Sequence, residues 1–188
     1  MINNIDFDYT LTKKMNPGAK RSLYSTFCVL QNSGYVSEAF VQENKKLFQL
    51  YHGYEADHSI SFELRDYYTH KWFKENMESV SREKNLQKHK FKEIILSSKN
   101  KFYFRNGIKE MFDLIEKFEI PLYIISGGIK DVIDSSLNYV ISNYSKIKNK
   151  NLIKIISNEF NYNKETNEIE NCVEPMIYTF NKHIVFYL

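Results

Sequence analysis

Two rhythms divide the chain. From about residue 37 to 98, apolar residues recur every three or four positions, the period of an α-helix packed on one face. Ser37 predicts an N-cap for a helix over 37–52, with Phe40, Val41, Leu47, Phe48 and Tyr51 as its apolar face. Further helices are predicted over 61–73, over the more polar 75–86, and over 87–98 with Phe91, Ile94 and Ile95 turned inward. Tyr67, Tyr68, Trp72 and Phe73 fall at helical spacing and read as core rather than as a base-stacking surface. Ahead of these helices, residues 2–7 predict a short strand, although Asn3 and Asn4 suit a buried strand poorly. Residues 13–34 are turn-rich at first, broken by Asn16-Pro17-Gly18, and Lys14 to Arg21 forms no phosphate loop. Residues 15–90 therefore read as a helical module inserted after the first strand.

After residue 107 the rhythm changes. Gly107 opens an amphipathic helix over 108–118, with Ile108, Met111, Phe112 and Ile115 on one face, and Pro121 ends it. Leu122-Tyr123-Ile124-Ile125 is an unbroken apolar run, the pattern of a strand buried on both faces. Ser126-Gly127-Gly128 follows, then a predicted helix over 130–142 and a third strand over 152–157. Helix, apolar strand, glycine turn, helix, apolar strand predicts an α/β fold with a parallel sheet. Ligands of such sheets bind beyond the carboxyl ends of the strands, where Asp6, Asp8 and Ser126 all fall.

The chemistry centres on Asp6-Phe7-Asp8-Tyr9-Thr10. Along an unbroken strand, residues i and i+2 share a side, so Asp6 and Asp8 converge unless the backbone turns between them. Two carboxylates at that range require a cation or a retained proton, and a hard divalent ion such as Mg²⁺ favours carboxylate and carbonyl oxygens. The plain alternative is a solvated turn in which the aspartates cap the next segment. Ser126-Gly127-Gly128 can turn backbone N–H groups and one hydroxyl toward an anion, or can be an ordinary strand-to-helix turn. Lys182 can balance charge beside two aspartates and a phosphate, or stand as a surface lysine.

Composition narrows the function classes. Over 188 residues, Lys+Arg 26 against Asp+Glu 23 leave a formal charge of +3, too small an excess to argue for nucleic acid. The one basic cluster, Lys146-Ile147-Lys148-Asn149-Lys150, reads as a surface loop. Cys28 and Cys172 form no CxxC pair, and the five His form no HExxH, so neither a disulfide framework nor a zinc motif is indicated. No signal peptide and no membrane-length apolar run is visible, so a cytoplasmic protein is expected.

Four ordered segments then carry a family resemblance. Asp6-Phe7-Asp8-x-Thr10-Leu11-Thr12, Ile125-Ser126-Gly127-Gly128-Ile129-x-Asp131-Val132-Ile133, Ser157-Asn158-x-Phe160 and Thr179-Phe180-Asn181-Lys182-His183 resemble the haloacid dehalogenase superfamily, and within it the cytosolic pyrimidine 5′-nucleotidases. The resemblance implies a Rossmann-like parallel sheet with an inserted α-helical cap: core over 1–14 and 91–188, cap over 15–90. It implies Mg²⁺-dependent hydrolysis of pyrimidine nucleoside 5′-monophosphates, CMP and UMP, by a monomer that binds neither nucleic acid nor membrane. In that scheme Asp6 is the nucleophile, giving an aspartyl-phosphate, and Asp8 is the general acid and then base. Mg²⁺ is held by the Asp6 side chain and the Asp8 carbonyl, Ser126 and the Gly127 N–H hold the phosphate, and Lys182 neutralises its charge. Glu55, within Tyr54-Glu55-Ala56-Asp57, aligns with the glutamate that reads the base, where a carboxylate suits an amino group such as that of cytosine.

The sequence departs from the family in two respects: the family's extension ahead of the first strand is not seen, and neither is its acidic fourth motif. The superfamily's acidic fourth motif, resembling Gly-Asp-Ser-x-Gly-Asp, follows the lysine in family order, whereas here an apolar stretch, Ile184-Val185-Phe186-Tyr187-Leu188, follows Lys182 and His183. The expectation is a core short of its last strand or strands, an exposed edge on the Asp6 strand, and weak metal binding. The readings this leaves are an active nucleotidase, an inactive nucleotidase-like binder, and a phosphatase acting on another small phosphate ester.

Overall fold

The structure is a computed structural model and describes residues 3–13, 25–97, 104–144 and 147–183. The Asn16-Pro17-Gly18 break, the Lys14 to Arg21 stretch, Lys146 and the apolar run 184–188 lie outside the described residues.

Three parallel strands form the main sheet in the order β1 (Asn3–Ile5), β2 (Leu122–Ile129), β3 (Ile153–Asn158). Asn3 pairs with Leu122, and Leu122 in turn with Ile153. The Leu122–Ile125 run makes the central strand, as its apolar pattern requires. Among the described residues β1 is an edge strand, paired to β2 alone. It ends at Ile5 rather than Phe7, because the chain leaves the sheet at Asp6. A separate antiparallel hairpin, β4 (Phe160–Tyr162) and β5 (Ile169–Cys172), was not foreseen: its short polar strands carry little alternation.

The helices are α1 (Thr26–Gln31), α2 (Glu38–Ala56), α3 (Phe62–Ser81), α4 (Lys90–Leu96), α5 (Ile108–Lys117) and α6 (Lys130–Tyr144). Ser25, Ser37 and Ser61 cap the first three, each accepting a backbone N–H of the first turn. The predicted helices over 61–73 and 75–86 fall on one continuous α3, since Lys74 and Glu75 interrupt the apolar pattern but not the backbone. α3 stops at Ser81, and residues 82–86 lie in turns and irregular backbone rather than helix. α1 packs on β2, and α4 on α6 and α1, whereas α2 and α3 form a long antiparallel pair packed on each other.

The core lies between the sheet and α1, α4, α5 and α6, built from Phe7, Leu30, Phe91, Ile94, Phe112, Ile124, Ile133 and Met176 among others, and Phe40 of α2 and Met77 and Val80 of α3 join it. A buried phenylalanine such as Phe91 or Phe112 contributes about 2–3 kcal/mol of transfer free energy. Ile147, inside the basic cluster, is also buried there, while Lys148 is exposed.

The aromatic residues of α3 correct a sequence expectation. Tyr67 is 57% exposed and Tyr68, Trp72 and Phe73 are half-buried, so they are not core. Phe48, placed on the inner face of α2, is 51% exposed and packs edge-on to Trp72. The buried positions of α3 are Thr69, Asn76, Met77, Ser79 and Val80: small and polar residues let α2 and α3 approach closely, and the aromatics flank the seam.

Candidate active site

Asp6 marks the point where the chain turns out of the sheet. Its Oδ1 accepts the Phe7 N–H at 2.8 Å, capping a single wide turn over Phe7–Leu11 that closes with Thr12 N–H donating to the Phe7 carbonyl at 3.3 Å. Inside it, Asp8 (φ −64°, ψ 126°) and Tyr9 (φ 62°, ψ 0°) have the backbone of a type II turn. Tyr9 thus sits in the left-handed region that glycine or asparagine usually fills, at a cost of about 1 kcal/mol. Its N–H donates to Thr12 Oγ1 at 3.0 Å and its carbonyl accepts from Arg105 Nη2 at 2.8 Å. Asp6 and Asp8 are therefore brought together by a turn, not by strand alternation.

Their surroundings differ. Asp6 Oδ2 accepts from Lys182 Nζ at 2.5 Å, and both side chains are about one-third exposed. Asp8, only partly exposed as a residue, has Oδ1 fully buried with no hydrogen bond among the described residues. Its Oδ2 takes only a long contact, 3.5 Å, from the Thr26 N–H. Burial pushes the Asp8 carboxyl from its ordinary 3.8 up to about 7; the Asp6 charge adds to the rise, while the Thr26 N–H and Lys182 oppose it. An unpartnered buried carboxylate oxygen is costly, so the neutral acid is favoured near neutrality. Two carboxyls in unlike environments can divide nucleophile and acid/base roles between them.

Ser126 is buried at the end of the regular part of β2, and its Oγ accepts the Gly128 N–H at 3.1 Å. The strand pairing shifts register between Ile125 and Ile129, so Ser126–Gly128, expected as a turn after the strand, is a bulged loop within β2. Thr26, fully buried and without a sequence signal, ties the loop to the aspartates: its Oγ1 accepts the Ile129 N–H at 3.1 Å while its own N–H reaches Asp8. A Cβ on Gly128 would stand 2.8 Å from Thr26 Oγ1 and 2.9 Å from Thr26 Cγ2. On Gly127 it would meet the edge of the Phe73 ring at 2.7 Å and the Ile177 carbonyl at 3.3 Å. The Phe73 ring can swing aside; Thr26, held on both sides, cannot. Gly128→Ala is expected to destabilise the chain by about 1–3 kcal/mol and Gly127→Ala by less, measured by urea unfolding. Equal costs would contradict the packing argument.

Lys182 follows a short turn shaped by Asn181, whose Oδ1 accepts the Tyr178 N–H and whose Nδ2 donates to the Met176 carbonyl, both at 2.7 Å. The same loop touches the α2–α3 pair. The Thr179 hydroxyl donates to Glu55 Oε1, the Tyr178 hydroxyl donates to Asp66 Oδ1 at 2.8 Å, and Phe180 packs on Phe62 with Arg65 over its ring. Arg65 also donates to the Glu55 carbonyl at 2.8 Å, fixing the end of α2. Glu55 is thus brought to the loop that carries Lys182. Asp6 thus pairs with Lys182, Asp8 is linked through Thr26 to the segment that carries Ser126 and Gly127, and Glu55 reaches the Lys182 loop through Thr179.

Asp6 and the carbonyl of Asp8 are hard oxygen donors, a set that fits Mg²⁺ completed by water and phosphate oxygens. Among the described residues, no group of three or more His, Cys, Asp or Glu forms a fuller cage.

The family profile described as pyrimidine 5′-nucleotidase (UMPH-1) matches residues 9–186. The chain belongs to this family. Its curated relatives include the 7-methylguanosine phosphate-specific 5′-nucleotidases of Gallus gallus, 26% identical over 95% of this chain and 57% of that protein, and of Homo sapiens, 27% identical over 95% and 55%. The chain thus spans a little over half the length of these relatives. Among solved structures, cytosolic 5′-nucleotidase IIIB bound to cytidine superposes with a TM-score of 0.77 at 23% identity, covering 96% of this chain and 56% of that one. A phosphoserine phosphohydrolase-like protein from Francisella tularensis gives 0.50 at 20% identity, over 93% and 66%. The haloacid dehalogenase-like α/β fold expected from the motifs is the fold observed. No helix among the described residues is long and apolar enough to cross a membrane.

Proposed function

We propose that this family member hydrolyses nucleoside 5′-monophosphates, with pyrimidine nucleotides such as CMP and UMP as the intended substrates. The observation that carries the reading is the division between Asp6, partly exposed and paired with Lys182, and Asp8, whose buried carboxyl is raised to about 7 and so keeps a share of its proton at neutrality. Asp6 attacks the phosphorus and forms an aspartyl-phosphate; Asp8 gives its proton to the departing nucleoside oxygen and then takes one from water. Ser126 Oγ and the Gly127 N–H hold phosphate oxygens, and Lys182 moves from Asp6 toward the charge that develops there. Bound Mg²⁺, held by the Asp6 carboxylate and the Asp8 carbonyl, would supply charge neutralisation. The α2–α3 pair is the cap, and Glu55 reads the base.

A second reading, nucleotide binding without turnover, draws on two observations. The ion pair with Lys182 occupies an oxygen of the nucleophile, and among the described residues no group of three or more His, Cys, Asp or Glu is placed to hold a metal. Phosphate release from CMP, UMP, 7-methyl-GMP and phosphoserine, with Mg²⁺ or with EDTA, separates the two. The expected result is Mg²⁺-dependent release, fastest from the pyrimidine nucleotides. Preference for 7-methyl-GMP would move the base assignment, preference for phosphoserine would remove nucleotides altogether, and binding without release would favour the second reading.

A further inference from the structure

Asn158 closes β3 and is 3% exposed, yet the reaction scheme gives it no part. Its side chain makes three hydrogen bonds. Nδ2 donates to the Gly127 and Ile177 carbonyls, each at 2.8 Å, and Oδ1 accepts the Ile177 N–H at 2.7 Å. The amide orientation follows from the partners, since two carbonyls need the two N–H donors and an N–H needs the oxygen.

These hydrogen bonds join two segments that also touch through Ile125 packed on Ile177. Gly127 lies in the Ser126–Gly128 loop, and Ile177 lies at the start of the segment that turns through Asn181 to Lys182. The Gly127 carbonyl and the Gly128 N–H belong to one planar trans peptide and point in opposite directions. Holding the carbonyl therefore aims the N–H, which donates to Ser126 Oγ. With one lone pair of Oγ so engaged, its hydroxyl proton is left to donate elsewhere.

We propose that Asn158 is a positioning residue that sets the Gly127–Gly128 peptide, and through it the Ser126 hydroxyl. For the task it assigns to Ser126, the proposal rests on the nucleotidase reading. A merely structural Asn158 would stabilise the fold without coupling to Ser126.

The test uses the full chain with Asn158→Ser, which shortens the side chain, and Asn158→Asp, which keeps its size and an acceptor but loses both donors. Amide hydrogen exchange at Gly128 is compared with that at the fully buried β2 residue Ile124, which reports global opening. Gly128 is expected to exchange roughly tenfold faster in the variants after correction for Ile124. The kcat/KM for CMP is expected to drop about tenfold in Asn158→Ser, but less than about twofold when Ser126→Ala is already present, since both act through one hydroxyl. Gly128 exchange that only follows Ile124, or an Asn158→Ser cost that is equal in both backgrounds, overturns the proposal. If the unsubstituted chain releases no phosphate from any nucleotide, the nucleotidase reading falls alone, and the exchange result still decides on Asn158. Should neither variant fold, exchange of the Asn158 side-chain amide in the unsubstituted chain decides: protection supports the staple, and exchange as fast as an exposed amide overturns it.

Discussion

Asp6→Asn is expected to lower phosphate release from CMP by roughly 10³-fold or more while leaving the chain folded. The loss follows from the proposed covalent step, because an amide oxygen is too weak a nucleophile to displace a nucleoside from phosphorus. The fold should survive for two local reasons. Asparagine caps a turn as well as aspartate does, so its Oδ1 can keep the Phe7 N–H that Asp6 holds at 2.8 Å. The pair lost to Lys182 is partly exposed, and such pairs are worth about 0–1 kcal/mol. Melting temperature and phosphate release measured on the same preparations separate the effects. A variant that melts like the parent and hydrolyses CMP equally fast would remove Asp6 from the chemistry.

The sequence shows the sheet more clearly than the site. Leu122–Ile125 reads as a buried strand because a central parallel strand must be apolar on both faces, and that is where β2 lies. The long amphipathic segments become α2, α5 and α6 within a few residues of their predicted ends. What periodicity could not show is whatever depends on contacts distant in sequence. Thr26 is an ordinary threonine in the sequence; its importance comes from lying between Asp8 and the Ile129 N–H, 103 residues away. The backbone turn at Asp8 and Tyr9 was equally hidden, since a tyrosine gives no signal for a left-handed residue. The aromatics of α3 misled for the opposite reason. Helical spacing places residues on one face but does not say whether that face is covered, and here Tyr67 stands in solvent. Asn158 belonged to a recognisable segment, but its role appears only once Gly127 and Ile177 stand on either side of it.

Without divalent cations, the contribution of Asp8 to the stability of the chain is expected to fall as pH rises from about 4 to about 7, and Asp8→Asn to remove that contribution. The Asp8 carboxyl is raised from 3.8 to about 7, chiefly by burial. Between those values the folded chain holds a proton that the unfolded chain has released, so the unfolding free energy decreases with pH. Below 3.8 the carboxyl is neutral in both states and costs nothing; above about 7 it is ionised in both, and the folded state bears the whole penalty of the buried charge. The rise from 3.8 to about 7 corresponds to about 4 kcal/mol, an upper figure because water reaches part of the residue. Asp131, also raised by burial, contributes in the same direction, so the difference between parent and Asp8→Asn isolates Asp8. Urea unfolding in EDTA at pH 4, 5.5 and 8 measures it: the asparagine variant should gain on the parent as pH rises. A pH-independent difference would show that Asp8 ionises at its ordinary value, leaving it without the proton that the departing nucleoside oxygen requires near neutrality. A widening difference means instead that burial keeps a proton on Asp8 toward neutrality at the expense of stability, which is the protonation that the proposed acid step requires.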